Sequence, residues 1–171
     1  MTIRFFSKSE THREFSNFAP FPIDLDGKRW PTTEHYYQAQ KFTDPELKAK
    51  IRTAGKPIIA KKLADKHRGK IRPDWDAVKD EVMDRAVRRK FELHAALRDL
   101  LLATGDEDIV EAAPNDYYWG VGLDGTGANK LGRIIEARRA VAMVVPPDLK
   151  FLQRLQRTRL GTSNRKAALE S

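Results

Sequence analysis

The sequence predicts an α+β fold, a mostly helical single domain with a small β-sheet. Three observations carry that expectation. Apolar residues recur at helical spacing through the long middle of the chain, as in Val78, Val82, Met83, Ala86 and Val87. Short apolar runs near the start and after Asp108 read as strands, and Asp26-Gly27 separates two further short runs. With 171 residues, 40% of them hydrophobic, the chain is long enough for one compact domain with a real core.

Taken in order, Ile3 to Phe6 reads as a short strand. Ile23 to Leu25 and Lys28 to Trp30 read as a hairpin, because Asp-Gly suits a tight type I′ turn. Pro31 and the two threonines after it read as a helix start. Glu46 to Ala54 is expected to form a helix closing at Gly55, and Pro57 opens another through about Asp65. Pro73 and Asp74 start a longer helix, and Leu93 to Leu102 continues as a separate one that ends before Gly105. Ile109 to Ala112 is a candidate strand. A Gly-rich loop from Gly120 to Gly127 leads into a last helix from about Lys130 to Met143. No internal repeat or low-complexity segment breaks this order.

Composition removes several classes of function. The chain has no cysteine, which excludes disulfides, thiolate chemistry and cysteine zinc sites. Its four histidines form no metal constellation. Glu34-His35 resembles half of a zincin signature without the second histidine, while His12, His67 and His94 are isolated. No apolar run approaches a membrane span and the first residues lack a signal-peptide core, so a cytoplasmic location without a membrane partner is expected.

The net charge of +8 invites a nucleic-acid reading. Half of that excess lies in the last part of the chain, where Lys150, Arg154, Arg157, Arg159, Arg165 and Lys166 face only Asp148 and Glu170. The expected organisation is a domain over residues 1–147 followed by a basic C-terminal extension, 148–171. The extension suits contact with phosphates, and equally suits a solvated tail with Leu149, Phe151, Leu152 and Leu155 between its charges.

The most informative segment runs from Trp30 to Phe42. Glu34 falls in the first turn of its helix, where a carboxylate suits the helix dipole. Gln38 and Lys41 follow on the same face. A carboxylate, an amide and an amine, flanked by Trp30, Tyr36, Tyr37 and Phe42, suit the floor of a small polar site. The same spacing also describes a solvated Glu–Lys stripe on an amphipathic helix.

Other motifs read in two ways as well. Gly120-Val-Gly-Leu-Asp-Gly125 matches the dinucleotide fingerprint letter for letter, but that motif needs an apolar strand before it and a βαβ unit after it. Here Asp116-Tyr-Tyr-Trp119 precedes and one helix follows. The glycines are read as loop freedom, or as a loop that lets amides approach a phosphate. Asn115-Asp116 after Pro114 has turn chemistry, yet Tyr117, Tyr118 and Trp119 beside that carboxylate suit a base-plus-ribose ligand. Asn17 serves either a ligand edge or an unusual backbone angle. Trp75, after a Pro-Asp helix start, reads most simply as a helix anchor.

In combination these residues resemble a known family. Phe15-Ser16-Asn17-Phe18, Ile23 to Lys28, Trp30 to Phe42, Arg72-Pro73-Asp74-Trp75, Lys90-Phe91-Glu92, Asn115 to Gly120 and Gly127 to Gly132 follow the order of the NADAR family, in particular its YbiA-like N-glycosidases. The resemblance runs from Ile3 to about Met143 and leaves the basic tail outside. It implies a YbiA-like fold, hydrolysis of N-glycosidic bonds, and neither cofactor nor metal. The substrate classes it implies are phosphoribosylamino-pyrimidine intermediates of riboflavin synthesis and ADP-ribose attached to guanine, with DNA or RNA as a possible carrier. Both join ribose C1′ to an exocyclic amino nitrogen.

Carried onto this chain, the resemblance implies catalytic Glu34, Lys41 and Asp116. It implies substrate contacts from Asn17, Phe18, Tyr36, Gln38, Trp75, Tyr118, Trp119 and Asn129, with Trp75 stacking on the base or closing the pocket. Two mechanisms follow. Glu34 and Asp116 act as an acid and a carboxylate partner, or Lys41 attacks C1′ to form a Schiff base. The alternative from another class is a non-catalytic module that binds ADP-ribose or nucleic acid. An amine with two carboxylates argues for the enzyme, since a pure binder needs none of the three.

Overall fold

The computed structural model describes residues 1–144; the basic extension expected from residue 148 lies outside the described residues. The chain divides at Arg139 into two units, Met1–Arg139 and Ala140–Ser171, and the architecture below is that of the first.

The strands form two small sheets. β1 (Thr2–Phe5) pairs in parallel with β4 (Asp108–Glu111), bringing Phe5 opposite Glu111. β2 (Ile23–Leu25) and β3 (Lys28–Trp30) form the expected antiparallel hairpin. Its turn residues Asp26 and Gly27 have φ of 53° and 68°, the left-handed pair that a type I′ turn requires. Among the described residues, six α-helices fill the rest: α1 (Thr33–Gln40), α2 (Pro45–Arg52), α3 (Pro57–Lys66), α4 (Trp75–Leu93), α5 (Ala95–Ala103) and α6 (Lys130–Val144). Among the described residues, no helix is long and apolar enough to cross a membrane.

α1 is the centre of the fold. All eight of its residues are buried, and it packs against α2, α3 and α4. A segment this polar goes inside only if its polar groups find partners. Thr32 caps the helix by accepting from the His35 backbone N–H. The His35 ring spans Thr32 Oγ1 at 2.8 Å and the Ala54 carbonyl at 2.9 Å. A carbonyl only accepts, so Nε2 carries the ring proton and Nδ1 accepts from the Thr32 hydroxyl. Thr33 donates to the backbone and side-chain oxygens of Asn17, both at 3.1 Å. Gln40 accepts from Lys48 at 3.0 Å.

Apolar packing surrounds this helix. Trp30 stands edge-on to Tyr36 at 5.3 Å between centroids, and Phe15 meets both Phe5 and Phe91 at under the 7 Å expected of aromatic pairs. Lys90 is buried in the same region, and its amine donates to the carbonyls of Glu14 and Ser16 at 2.5 and 2.9 Å. Burial pulls that amine down to about 7. Two of its N–H groups are spent on the two carbonyls. Lys90 thereby fixes the loop that carries Asn17.

Among the described residues, β4 has a strand partner, β1, on one edge only. Its other edge is satisfied by side chains and loop backbone rather than by a third strand. Ile109 N–H donates to Glu136 at 2.7 Å, Glu111 N–H donates to Asn129 Oδ1 at 3.0 Å, and Asn129 Nδ2 returns a bond to the Ile109 carbonyl at 2.9 Å. Val121 N–H donates to the Glu111 carbonyl at 2.9 Å. This approach requires Gly120, since a Cβ there would sit 2.6 Å from the Glu111 carbonyl oxygen. The loop after β4 is thereby anchored against the strand end.

Candidate active site

A pocket of about 350 Å³ opens where α1, the Ser16–Phe18 loop, α3, α4 and the loop after β4 converge. From α1 come Glu34, Tyr37 and Gln38. From the loop after β4 come Asn115, Asp116 and Trp119, with Glu111 at the strand end; α3 contributes Lys61 and α4 contributes Met83.

Glu34 is 5% exposed and Gln38 is 3% exposed, so the two are not a solvated stripe. Gln38 Nε2 donates to Glu34 Oε1 at 2.7 Å. Burial raises the Glu34 carboxyl above the usual range, against the opposing pull of the Gln38 bond and the charges of Lys61 and Lys41. Asn17 holds the other side of the helix start. Its carbonyl accepts from Glu34 N–H at 3.1 Å, while its side-chain amide contacts Met83 sulfur at 3.2 Å.

Asp116 is only half-buried. Its Oδ1 accepts from the backbone N–H groups of Tyr118 and Trp119 at 3.0 and 2.7 Å, closing the turn expected from the sequence. Glu111 was not singled out from the sequence. Burial, with Asp116 and Glu34 nearby, pushes its carboxyl up to about 8, and its Oε2 is buried without a partner. The available signal was the strand register, since Glu111 shares the inward face with the fully buried Ile109. Lys61 is an exposed helix lysine that the sequence does not distinguish from its neighbours.

Of the expected residues, Asn17, Phe18, Glu34, Gln38, Asp116 and Trp119 line the pocket. Five others do not. Tyr36 is fully buried and donates its hydroxyl to Asp26 in the hairpin turn at 3.0 Å. Successive helical residues point about 100° apart, which turns Tyr36 away from the face of Glu34 and Tyr37. Trp75 packs against Tyr37 at 5.1 Å and is 8% exposed, directly behind a residue that lines the pocket. Tyr118 donates to Asp80 at 2.6 Å and accepts from Lys130 at 2.9 Å, tying its loop to α4 and α6. Asn129 takes φ of 49° and spends its amide on β4, as described above.

Lys41, at the end of α1, is the fifth. It stands 5.5 Å from the Tyr37 ring centroid. Burial lowers its amine, while the charges of Glu34 and Asp65 oppose that shift. It acts on Glu34 through its charge, outside the lining of the pocket.

Comparison with known proteins identifies relatives along most of the chain. The NADAR domain model matches residues 4–141. The N-glycosidase YbiA of Escherichia coli strain K12 is 46% identical over 142 residues, covering 82% of this chain and 89% of the relative. An N-glycosidase of Nostoc punctiforme is 42% identical over 142 residues, covering 81% of this chain and 91% of that protein. A riboflavin biosynthesis protein of Vibrio vulnificus is 42% identical over 133 residues, which are 78% of this chain but 36% of that protein. The NMR structure of E. coli YbiA superposes with a TM-score of 0.77 at 44% identity, covering 84% of this chain and 86% of that one.

Proposed function

This chain belongs to the NADAR family, and on that premise we propose that it is an N-glycosidase hydrolysing the bond between ribose C1′ and an exocyclic amino nitrogen. One observation carries the reading. A buried carboxyl with a raised pKa, Glu34, shares a ligand-sized pocket with the half-exposed carboxylate of Asp116.

The two environments separate the roles. Burial favours the protonated form of Glu34, and its proton passes to the departing nitrogen as the C1′–N bond breaks. Asp116 supports the positive charge developing at C1′ and orients a water. The water oxygen bonds to C1′, its proton goes to Asp116, and both carboxyls return to their starting states through solvent. A Schiff-base route through Lys41 is the second reading. It is favoured by the lowered amine on the helix of Glu34 and disfavoured by the position of Lys41 outside the pocket lining.

For the substrate, a phosphoribosylamino-pyrimidine is favoured. A volume of about 350 Å³ is at the small end of ligand pockets and suits a ribosyl group with a small base. The relative named for riboflavin biosynthesis points the same way. ADP-ribose on guanine is supported by a different feature. A second cavity of about 280 Å³ shares Ser7 and Phe18 with the first and is bordered by both Arg13 and Glu14, which gives room for a longer substrate with Arg13 available to an anionic group. Incubating the protein with each substrate in turn, and assaying free ribose 5-phosphate or ADP-ribose, tests the proposal. Release from neither overturns it.

A further inference from the structure

We propose that Gln38 and Glu111 form a two-acceptor clamp on the hydroxyls of the substrate's ribose, so that the site selects a ribosyl over a 2-deoxyribosyl group. The inference rests on the N-glycosidase reading and deepens it.

Among the described residues, three buried side-chain polar atoms lack a hydrogen-bond partner: Gln38 Oε1, Glu111 Oε2 and Arg138 Nε. Two of these belong to residues lining one pocket, and both are acceptors. Native interiors rarely leave such atoms unpaired, so two in one pocket call for a molecule that brings two donors. The cis-diol of a ribofuranose brings two O–H groups on adjacent carbons. One of them is on C2′, next to the carbon whose bond breaks.

Placement supports the match. Gln38 is tied through its amide N–H to Glu34, so its free oxygen belongs to a group already touching the catalytic acid. A C2′ hydroxyl is the substrate donor nearest to C1′. Glu111 is fixed from both sides of its backbone, by Asn129 on its N–H and by Val121 on its carbonyl. The backbone that carries its side chain is therefore held in place. Ionised or protonated, a carboxyl keeps the capacity to accept from a hydroxyl. Hydrogen bonds to the 2-hydroxyl strengthen in the transition state of glycoside cleavage, so the clamp acts on kcat as well as on KM.

The test compares wild type, Glu111→Leu and Glu111→Gln. Leucine keeps the bulk without an acceptor, and glutamine keeps a carbonyl acceptor. Calorimetry measures binding of ribose 5-phosphate and 2-deoxyribose 5-phosphate. Kinetics measures kcat/KM on the ribosylaminopyrimidine phosphate and its 2′-deoxy counterpart. The intrinsic lability of the deoxy sugar is common to all three proteins and cancels when their ratios are compared.

The preference for ribose is expected to fall about 10-fold in Glu111→Leu and to return in Glu111→Gln. Unchanged preference in a folded Glu111→Leu protein overturns the clamp, as does loss of preference for an amino-bearing base instead. If leucine does not fold, Gln38→Met removes the other acceptor and is read in the same way. Ribose selection in binding without turnover of any ribosyl substrate sinks the glycosidase reading and leaves the clamp. Turnover without deoxy discrimination sinks the clamp alone.

Discussion

Burial moves Glu34 and Lys41 in opposite directions, the carboxyl up and the amine down, so each is drawn toward its neutral form. Each also holds the other back, since their opposite charges attract. This coupling separates the two mechanisms at the scale of single residues. With carboxylates doing the chemistry, Lys41→Arg preserves the charge beside Glu34 and turnover stays within about 10-fold of wild type, far short of the 10²–10⁴-fold cost of losing an acid or base group. Borohydride added during turnover then traps no sugar on the protein. A reduced sugar adduct on Lys41, absent from Lys41→Arg, would transfer the chemistry to the amine. Glu111 offers a separate test through stability. Its folded pKa is raised to about 8 from an ordinary 4.5, so the stability it contributes is full below about 4.5 and is lost as pH rises through 8. Glu111→Gln is therefore expected to melt higher than wild type at pH 8.5, with the gap narrowing by pH 5. A gap that does not change with pH would mean that Glu111 ionises as freely folded as unfolded.

Two short elements position this chemistry, and they do it differently. α1 is a polar helix driven into the core, where Asn17, Thr32, Ala54 and Lys48 satisfy its side chains. Its first turn thus presents Glu34 to the pocket from a fixed base. β4 is a strand whose free edge is completed by the Asn129 side chain, which sets the direction of Glu111. Asn129 also adopts a left-handed φ that alanine resists. Asn129→Ala is expected to cost about 2–4 kcal/mol in chemical denaturation, from two orphaned backbone groups together with the strained φ. Asn129→Gly, which relieves only the φ, is expected to cost about 1 kcal/mol less. A loss under about 0.5 kcal/mol for alanine would show that β4 needs no such clasp.

For the molecule as a whole, local chemistry was legible and convergence was not. The Asp26-Gly27 turn, the start of α1 at Thr32 and the Asp116 turn all follow from nearest neighbours in the chain, and each takes the form its residues dictate. The burial of α1 does not follow locally, because the partners of Thr33 and His35 come from Asn17 and Ala54, well away in sequence. For the same reason Glu34 and Gln38 read equally well as a solvated stripe. Trp75 packs on Tyr37, Tyr118 packs on Trp119 and Asn129 clasps the strand that carries Glu111, and of these contacts only that of Tyr118 joins near neighbours in the chain. Glu111 reaches the site only through the pairing of β1 with β4, whose partners are over a hundred residues apart. The claim that all of this serves is that Glu34 supplies the proton for N-glycosidic cleavage. The most direct measurement is the release of ribose 5-phosphate from a ribosylaminopyrimidine phosphate by wild type and by Glu34→Gln, each shown to be folded by its thermal melt. A fall of about 10²–10⁴-fold in kcat with the fold intact is the predicted result. A folded Glu34→Gln protein that turns over at a near wild-type rate would contradict it.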